Sequence, residues 1–240
     1  MSNSENKPTS DVYDLRSALE LLKTLPGEYV ETDTEVDPHA ELSGVYRYVG
    51  AGGTCQRPTR KNGPVMVFNK VKGFNDISVA IGLNGSRKRV SHFLNCTPEK
   101  LGHLLKDSVQ NPIPPVLSKD DTVCQQVVHL ASAPDFDLRK LLPAPTNTEE
   151  DAGPYITMGL CYASDPETRE SDITIHRLCV QSRDELSMWL TPGRHIDAFR
   201  MKAEAAGQPL PISISIGVDP AIEIAACFEP PTTPLGYDEL

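Results

Sequence analysis

The chain has 240 residues, 39% hydrophobic and 23% charged, enough for one large domain or two ordinary ones around a packed core. Its formal charge of −10 excludes the basic surface that nucleic-acid backbone binding needs. Six scattered cysteines with no C-x-x-C pair exclude the disulfide framework of a small secreted domain and read as reduced thiols.

Residues 1–13 read as a disordered leader, polar and without the apolar stretch of a secretory signal, which suggests a cytosolic protein. Leu15, Ala18, Leu19 and Leu22 fall on one helical face behind a capping Asp14. Tyr29-Val-Glu-Thr is a short strand, and Asp37-Pro-His-Ala-Glu-Leu opens a second helix at its Asp-Pro start. Pro64-Val-Met-Val-Phe-Asn69 reads as a buried strand and Ile77-Ser-Val-Ala-Ile81 as another, before helical patterns over Ser86–His92 and Pro98–Ser108. These elements make an α/β domain over residues 14–120, ending at the extended linker Asn111-Pro-Ile-Pro-Pro115.

The texture then becomes β-rich over residues 121–240. Cys124-Gln-Gln-Val-Val-His, Tyr155–Tyr162, Asp172–Val180 and Pro211–Val218 alternate with the period of strands. One helix interrupts them, Ile196–Ala206, stopped by Gly207. No run approaches the roughly 20 apolar residues of a membrane span. The end, Tyr237-Asp-Glu-Leu240, looks like an ER-retention tail, a reading that needs the missing signal. It comes at what resembles a new helix start, so the chain is expected to be truncated.

Chemistry could reside in Asp172, His176, Arg177, His195 and Glu239. Two carboxylates and an imidazole suit Mn²⁺, Mg²⁺, Fe²⁺ or Zn²⁺, but wide sequence separations say little. A capping Asp, a surface His and a helix-starting Glu are the plainer alternatives. Gly50-Ala-Gly-Gly53 beside Arg57 and Arg60 matches no phosphate-loop pattern and reads as a turn next to a solvated basic stretch. Cys161, Cys179 and Cys227 read as buried core thiols. Ser182 and Ser187 lack the setting of a hydrolase triad.

From Asp14 to Leu240 the sequence resembles the UbiD family of prenylated-flavin decarboxylases, in its hydroxybenzoate, protocatechuate and gallate branch. The resemblance is carried by Asp37-Pro-His-Ala-Glu-Leu, Tyr48-Val-Gly-Ala-Gly-Gly, Asp135-Phe-Asp-Leu-Arg, Leu142-Pro-Ala-Pro-Thr-Asn, Asp172-Ile-Thr-Ile-His-Arg, Gly193-Arg-His and Pro230-Pro-Thr-Thr-Pro-Leu-Gly-Tyr-Asp-Glu. It implies an α+β fold, in which the amino-terminal α/β domain precedes the start of a split β-barrel that binds the flavin.

The resemblance further implies metal ligation by Asp172, His195 and Glu239, with manganese the leading ion, and a potassium ion near the flavin phosphate. Ile175, His176, Arg177, Trp189, Leu190 and Arg194 would line the prenylated FMN, and Arg177 would orient the substrate carboxylate. Strict alternation puts Asp172 and Arg177 on opposite strand faces, so either a bulge or a strand end lies between them or one of the two assignments is wrong. The implied reaction is reversible, non-oxidative decarboxylation of a hydroxylated benzoic acid. The implied partners are a flavin prenyltransferase that supplies the cofactor and further copies of the full-length chain. The family's two catalytic glutamates lie on a later strand that this sequence lacks, so the chain by itself is expected to be inactive. A non-catalytic flavin- or phosphate-binding module and a flavin oxidoreductase are the competing readings.

Overall fold

A computed structural model describes residues 12–117, 122–228, 232–234 and 237–240. The leader up to residue 11, the end of the proline-rich linker and parts of the Glu229–Gly236 stretch lie outside the described residues.

The first layer grows from α1 (Leu15–Lys23), whose N-terminus is closed by a reciprocal capping box between Asp14 and Ser17. Parallel strands β1 (Tyr29–Thr32) and β2 (Val65–Phe68) are extended by antiparallel β3 (Val79–Ile81), in the order β1-β2-β3. All four β2 residues are buried, because both faces of this central strand are covered. Val65 and Val67 pack with Ala18, Leu22 and Phe93, while Met66 and Phe68 pack with Val36, Leu42 and Val71. Val12, placed in the leader by sequence, is buried in the first of these clusters.

Helix α2 (Glu41–Gly50) starts later than the Asp-Pro signal suggests. Asp37 instead accepts a hydrogen bond from His39 N, and Pro38 O accepts one from Thr146 N, so this segment forms a turn docked on the second half of the chain. Helices α3 (Arg87–Phe93) and α4 (Leu101–Gln110) follow as the periodicity predicts, α3 capped by Ser86.

Arg89 on α3 is fully buried, and its guanidinium is held by oxygens. Its guanidinium donates to Gly82 O, to Gly63 O at 2.6 Å and to Glu28 at 3.2 Å. Burial alone would raise the Glu28 pKa, but Lys88 and Arg89 outweigh it and hold the carboxyl below its ordinary value.

Beyond the linker, Cys124–His129 is not a strand. Val123–Gln125 is one 3-10 turn, and Val127 and Val128 stay exposed, since no neighbouring strand pairs with the alternating pattern. A short α5 (Leu138–Leu141), capped by Asp137, leads into the second sheet. Its strands are β4 (Tyr155–Ser164), β5 (Ser171–Val180), β6 (Leu186–Met188) and β7 (Ser213–Ser215), all antiparallel in the order β6-β5-β4-β7. On one face Cys161, Ala163 and Leu178 pack against Ile196 and Phe199 of α6 (His195–Ala205). On the other, Leu160, Ile173 and Ile175 meet Ile222 and Ala226 around α7 (Pro220–Ala225), a helix begun by an Asp219 cap and Pro220. Cys227, just past α7, is exposed rather than a core thiol. Cys161 and Cys179 are buried, and none of the six cysteines is bridged.

The two layers are tied by Leu15 N to Gly217 O at 3.1 Å, Ser43 Oγ to Asn147 at 2.7 Å and Asn84 to Glu223 at 2.6 Å. Among the described residues no helix is long and apolar enough to cross a membrane.

Candidate metal and cofactor site

Asp172 is the second residue of β5 and His195 the first of α6, and α6 packs on the β5 face that carries Leu178. That docking sets His195 Nδ1 3.0 Å from Asp172 Oδ1. The last residues return to the same point. One ligand atom from each of Asp172, His195 and Glu239 lies within 4.8 Å of the others.

The three side chains are only 1%, 6% and 9% exposed, which removes the capping, surface and helix-start alternatives. Asp172 Oδ2, His195 Nε2 and both Glu239 carboxylate oxygens are buried without a hydrogen-bond partner. Buried polar atoms are nearly always paired, so these orphaned atoms make the cluster a candidate ion site. Burial, and then the negative charge of Asp172, push the Glu239 carboxyl up to about 8. A divalent cation held by these side chains would offset both causes.

His176 lies two positions beyond Thr174 on the Asp172 face, and Thr174 Oγ1 and His176 Nε2 are also buried and unpartnered. Burial keeps the His176 pKa below its ordinary value, helped by the Arg194 charge and opposed by a hydrogen bond with the Trp189 backbone. Arg194 is exposed at the N-cap of α6, where the positive end of the helix dipole adds to its charge. Trp189 is 78% exposed rather than core, whereas Leu190 packs into the α6 cluster.

Arg177 is exposed, and the expected interruption of β5 is absent. The bulge lies in the neighbouring strand instead. Ile156 pairs with Leu178 and Gly159 with His176, so two β4 residues oppose Arg177 alone. Alternation along β5 therefore puts Asp172, Thr174 and His176 on one face and Ile173, Ile175 and Arg177 on the other. The two sets are not brought together on one strand face; among the described residues β6 pairs only with residues 178–180 and leaves the β5 edge from Ser171 to Arg177 without a strand partner. The basic stretch after Gly53 is a solvated turn, with Arg57 and Arg60 exposed.

Residues 116–240 match the Rift-related domain of the UbiD family's 3-octaprenyl-4-hydroxybenzoate carboxy-lyases, and residues 20–108 match the N-terminal domain of the same family. The chain belongs to the UbiD family. Gallate decarboxylase from Lactiplantibacillus plantarum is 52% identical over 230 residues, covering 95% of this chain and 47% of that protein. The apo structure of a 3,4-dihydroxybenzoic acid decarboxylase from Enterobacter cloacae shares 57% identity at a TM-score of 0.85, covering 96% of this chain and 47% of that one. The UbiD-class enzyme HmfF from Pelotomaculum thermopropionicum, solved in complex with prFMN, shares 33% identity at a TM-score of 0.81, over 94% and 48% of the two chains. This UbiD-family chain spans about half the length of the relatives it matches. Its mixed α/β architecture of two sheets matches theirs.

Sequence reasoning missed Thr233, whose fully buried hydroxyl is unpartnered, and the part played by Asp238. Both stand in the terminal block that carried the resemblance, but no local pattern distinguishes them there.

Proposed function

We propose that this chain is the cofactor-anchoring part of a decarboxylase for hydroxylated aromatic acids of the gallate, protocatechuate or 4-hydroxybenzoate type. The observation that carries the reading is the buried Asp172–His195–Glu239 cluster with its four orphaned atoms. Those residues hold a divalent metal, Mn²⁺ by preference, which ties down a phosphate dianion in a protein of charge −10. A potassium ion shares that phosphate, and Arg194 contacts it directly. Similarity to the prFMN-bound HmfF supports prenylated FMN as the group anchored there.

When bound, the prenylated flavin supplies the electron sink that carbon–carbon cleavage requires. The chain's own residues position and exclude. Arg177 binds the substrate carboxylate through its planar fork of donors. Ile175, His176, Trp189 and Leu190 wall the flavin, keeping water from it, along the open β5 edge. The four-stranded sheet is the first part of a split β-barrel. The acid that returns a proton to the ring is assigned to sequence matching the other half of the relatives' length.

The test is mass spectrometry and an absorption spectrum of protein co-expressed with a flavin prenyltransferase. Stoichiometric prenylated FMN together with Mn²⁺ is expected. Protein free of both, or protein that oxidises a nicotinamide through its flavin, would overturn the reading. In a full-length protein, Arg177→Ala is expected to abolish decarboxylation while the flavin stays bound.

A further inference from the structure

Two of the proposed ligands ride on regular elements, Asp172 on β5 and His195 on α6, but Glu239 rides on neither. Its carboxylate nevertheless lies beside Asp172 and His195, at the end of an irregular tail. Something must hold the tail there.

Three hydrogen bonds do so. Ser171 Oγ donates to Asp238 Oδ2 at 2.7 Å, joining the residue before Asp172 to the residue before Glu239. Leu240 N donates to Asp238 Oδ1 at 2.9 Å and closes an Asx turn around Glu239. Tyr237 OH donates to Val109 O at 3.0 Å, using a carbonyl in the last turn of α4, where helices leave such groups unpaired. Neighbouring strand residues point to opposite faces. Ser171 therefore meets Asp238 on one side of β5 while Asp172 meets Glu239 on the other, and the tail straddles the start of the strand.

We infer that Ser171 and Asp238 are a positioning pair that sets the separation of the Asp172 and Glu239 carboxylates, and so sets the affinity for the divalent ion. The inference rests on the metal-centre reading above. Neither residue is a ligand. Both Asp238 oxygens are already engaged, and alternation turns Ser171 away from the cluster.

The experiment is a Mn²⁺ titration of the full 240-residue chain, followed by the electron paramagnetic resonance signal of free Mn²⁺ and by calorimetry. Ser171→Ala should bind Mn²⁺ about ten- to hundredfold more weakly, the usual cost of losing a partner that orients a ligand. Ser171→Thr, which keeps the hydroxyl, should recover most of that loss. Asp238→Asn should fall between, since one of its two acceptor positions becomes a donor. The melting point of the metal-free Ser171→Ala protein should match the parent's.

Parent-like affinity in Ser171→Ala overturns the inference and leaves the metal centre standing. So does Ser171→Thr binding as weakly as Ser171→Ala, or a lowered metal-free melting point, either of which would make the hydroxyl a general structural group. A parent chain that binds no Mn²⁺ overturns the metal centre and this inference together.

Discussion

Two of the polar knots buried among the described residues are finished differently. Around Arg89, each donor direction ends on an oxygen: Gly82 O, Gly63 O and the Glu28 carboxylate. Around Asp172, His195 and Glu239 four atoms end on nothing. The first knot is complete within the chain and joins the ends of the first sheet. The second is complete only with a ligand. Equal burial thus separates architecture from function once the hydrogen bonds are followed atom by atom.

If that contrast is right, damage to the two knots should read out in different quantities. Arg89→Met should cost about 3–5 kcal/mol of stability in denaturant titration, because it leaves the Gly82 and Gly63 carbonyls unpaired and the Glu28 charge with Lys88 alone, while Mn²⁺ binding survives in whatever fraction folds. Mn²⁺ should stabilise the parent by about 2.7 kcal/mol at a hundred times its dissociation constant, and a melting point indifferent to Mn²⁺ would erase the distinction.

His195→Ala should lose both metal and flavin on purification, yet shift the metal-free stability by no more than about 1 kcal/mol. Stoichiometric retention of both would remove His195 from the ligand set.

The smallest effect concerns Glu223, a third buried polar group. Burial, then the Asp219 charge, raise its pKa, with the Asn84 hydrogen bond opposing. The folded state therefore binds a proton that the unfolded state releases above its ordinary value of 4.5. Stability should fall as pH rises from there through the raised value. Glu223→Gln should flatten that part of the profile, while an unchanged slope would put its origin elsewhere.

Local signals were legible wherever local physics decides. The Asp14 cap, the buried β2 run and the Gly207 stop all act over a few residues, and each stands where the sequence puts it. Cys124–His129 misled because an alternating pattern is only half of a strand. The other half is a neighbour, and among the described residues none pairs with it. The α2 start was misplaced because Pro38 O and Ala40 N bond to Thr146, a contact more than a hundred residues away. The α7 helix was passed over although Asp219-Pro220 is a start signal, its six residues being too few to show a period. The Asp172–His195–Glu239 cluster was the least legible from spacing, since a strand, a helix and an irregular tail each supply one side chain. Only the family resemblance assembled it, and the β5 edge left unpaired beside it among the described residues was not foreseen.

The β4 bulge has a consequence for how this segment can vary. Side chains alternate with period two, so the extra residue between Ile156 and Gly159 works as a reading-frame offset. Exchanging Thr157 or Met158 for another residue leaves the frame intact. Deleting either would remove the bulge and leave a regular ladder, with Ile156 still opposite Leu178 and still facing the α6 core. At Gly159 a Cβ would come within 2.6 Å of Leu178 Cδ1, so the frame is pinned on its far side by the absence of a side chain. What the extra residue encodes is a local bend and twist of β4, and a relative with a gap there would keep both faces while straightening the strand.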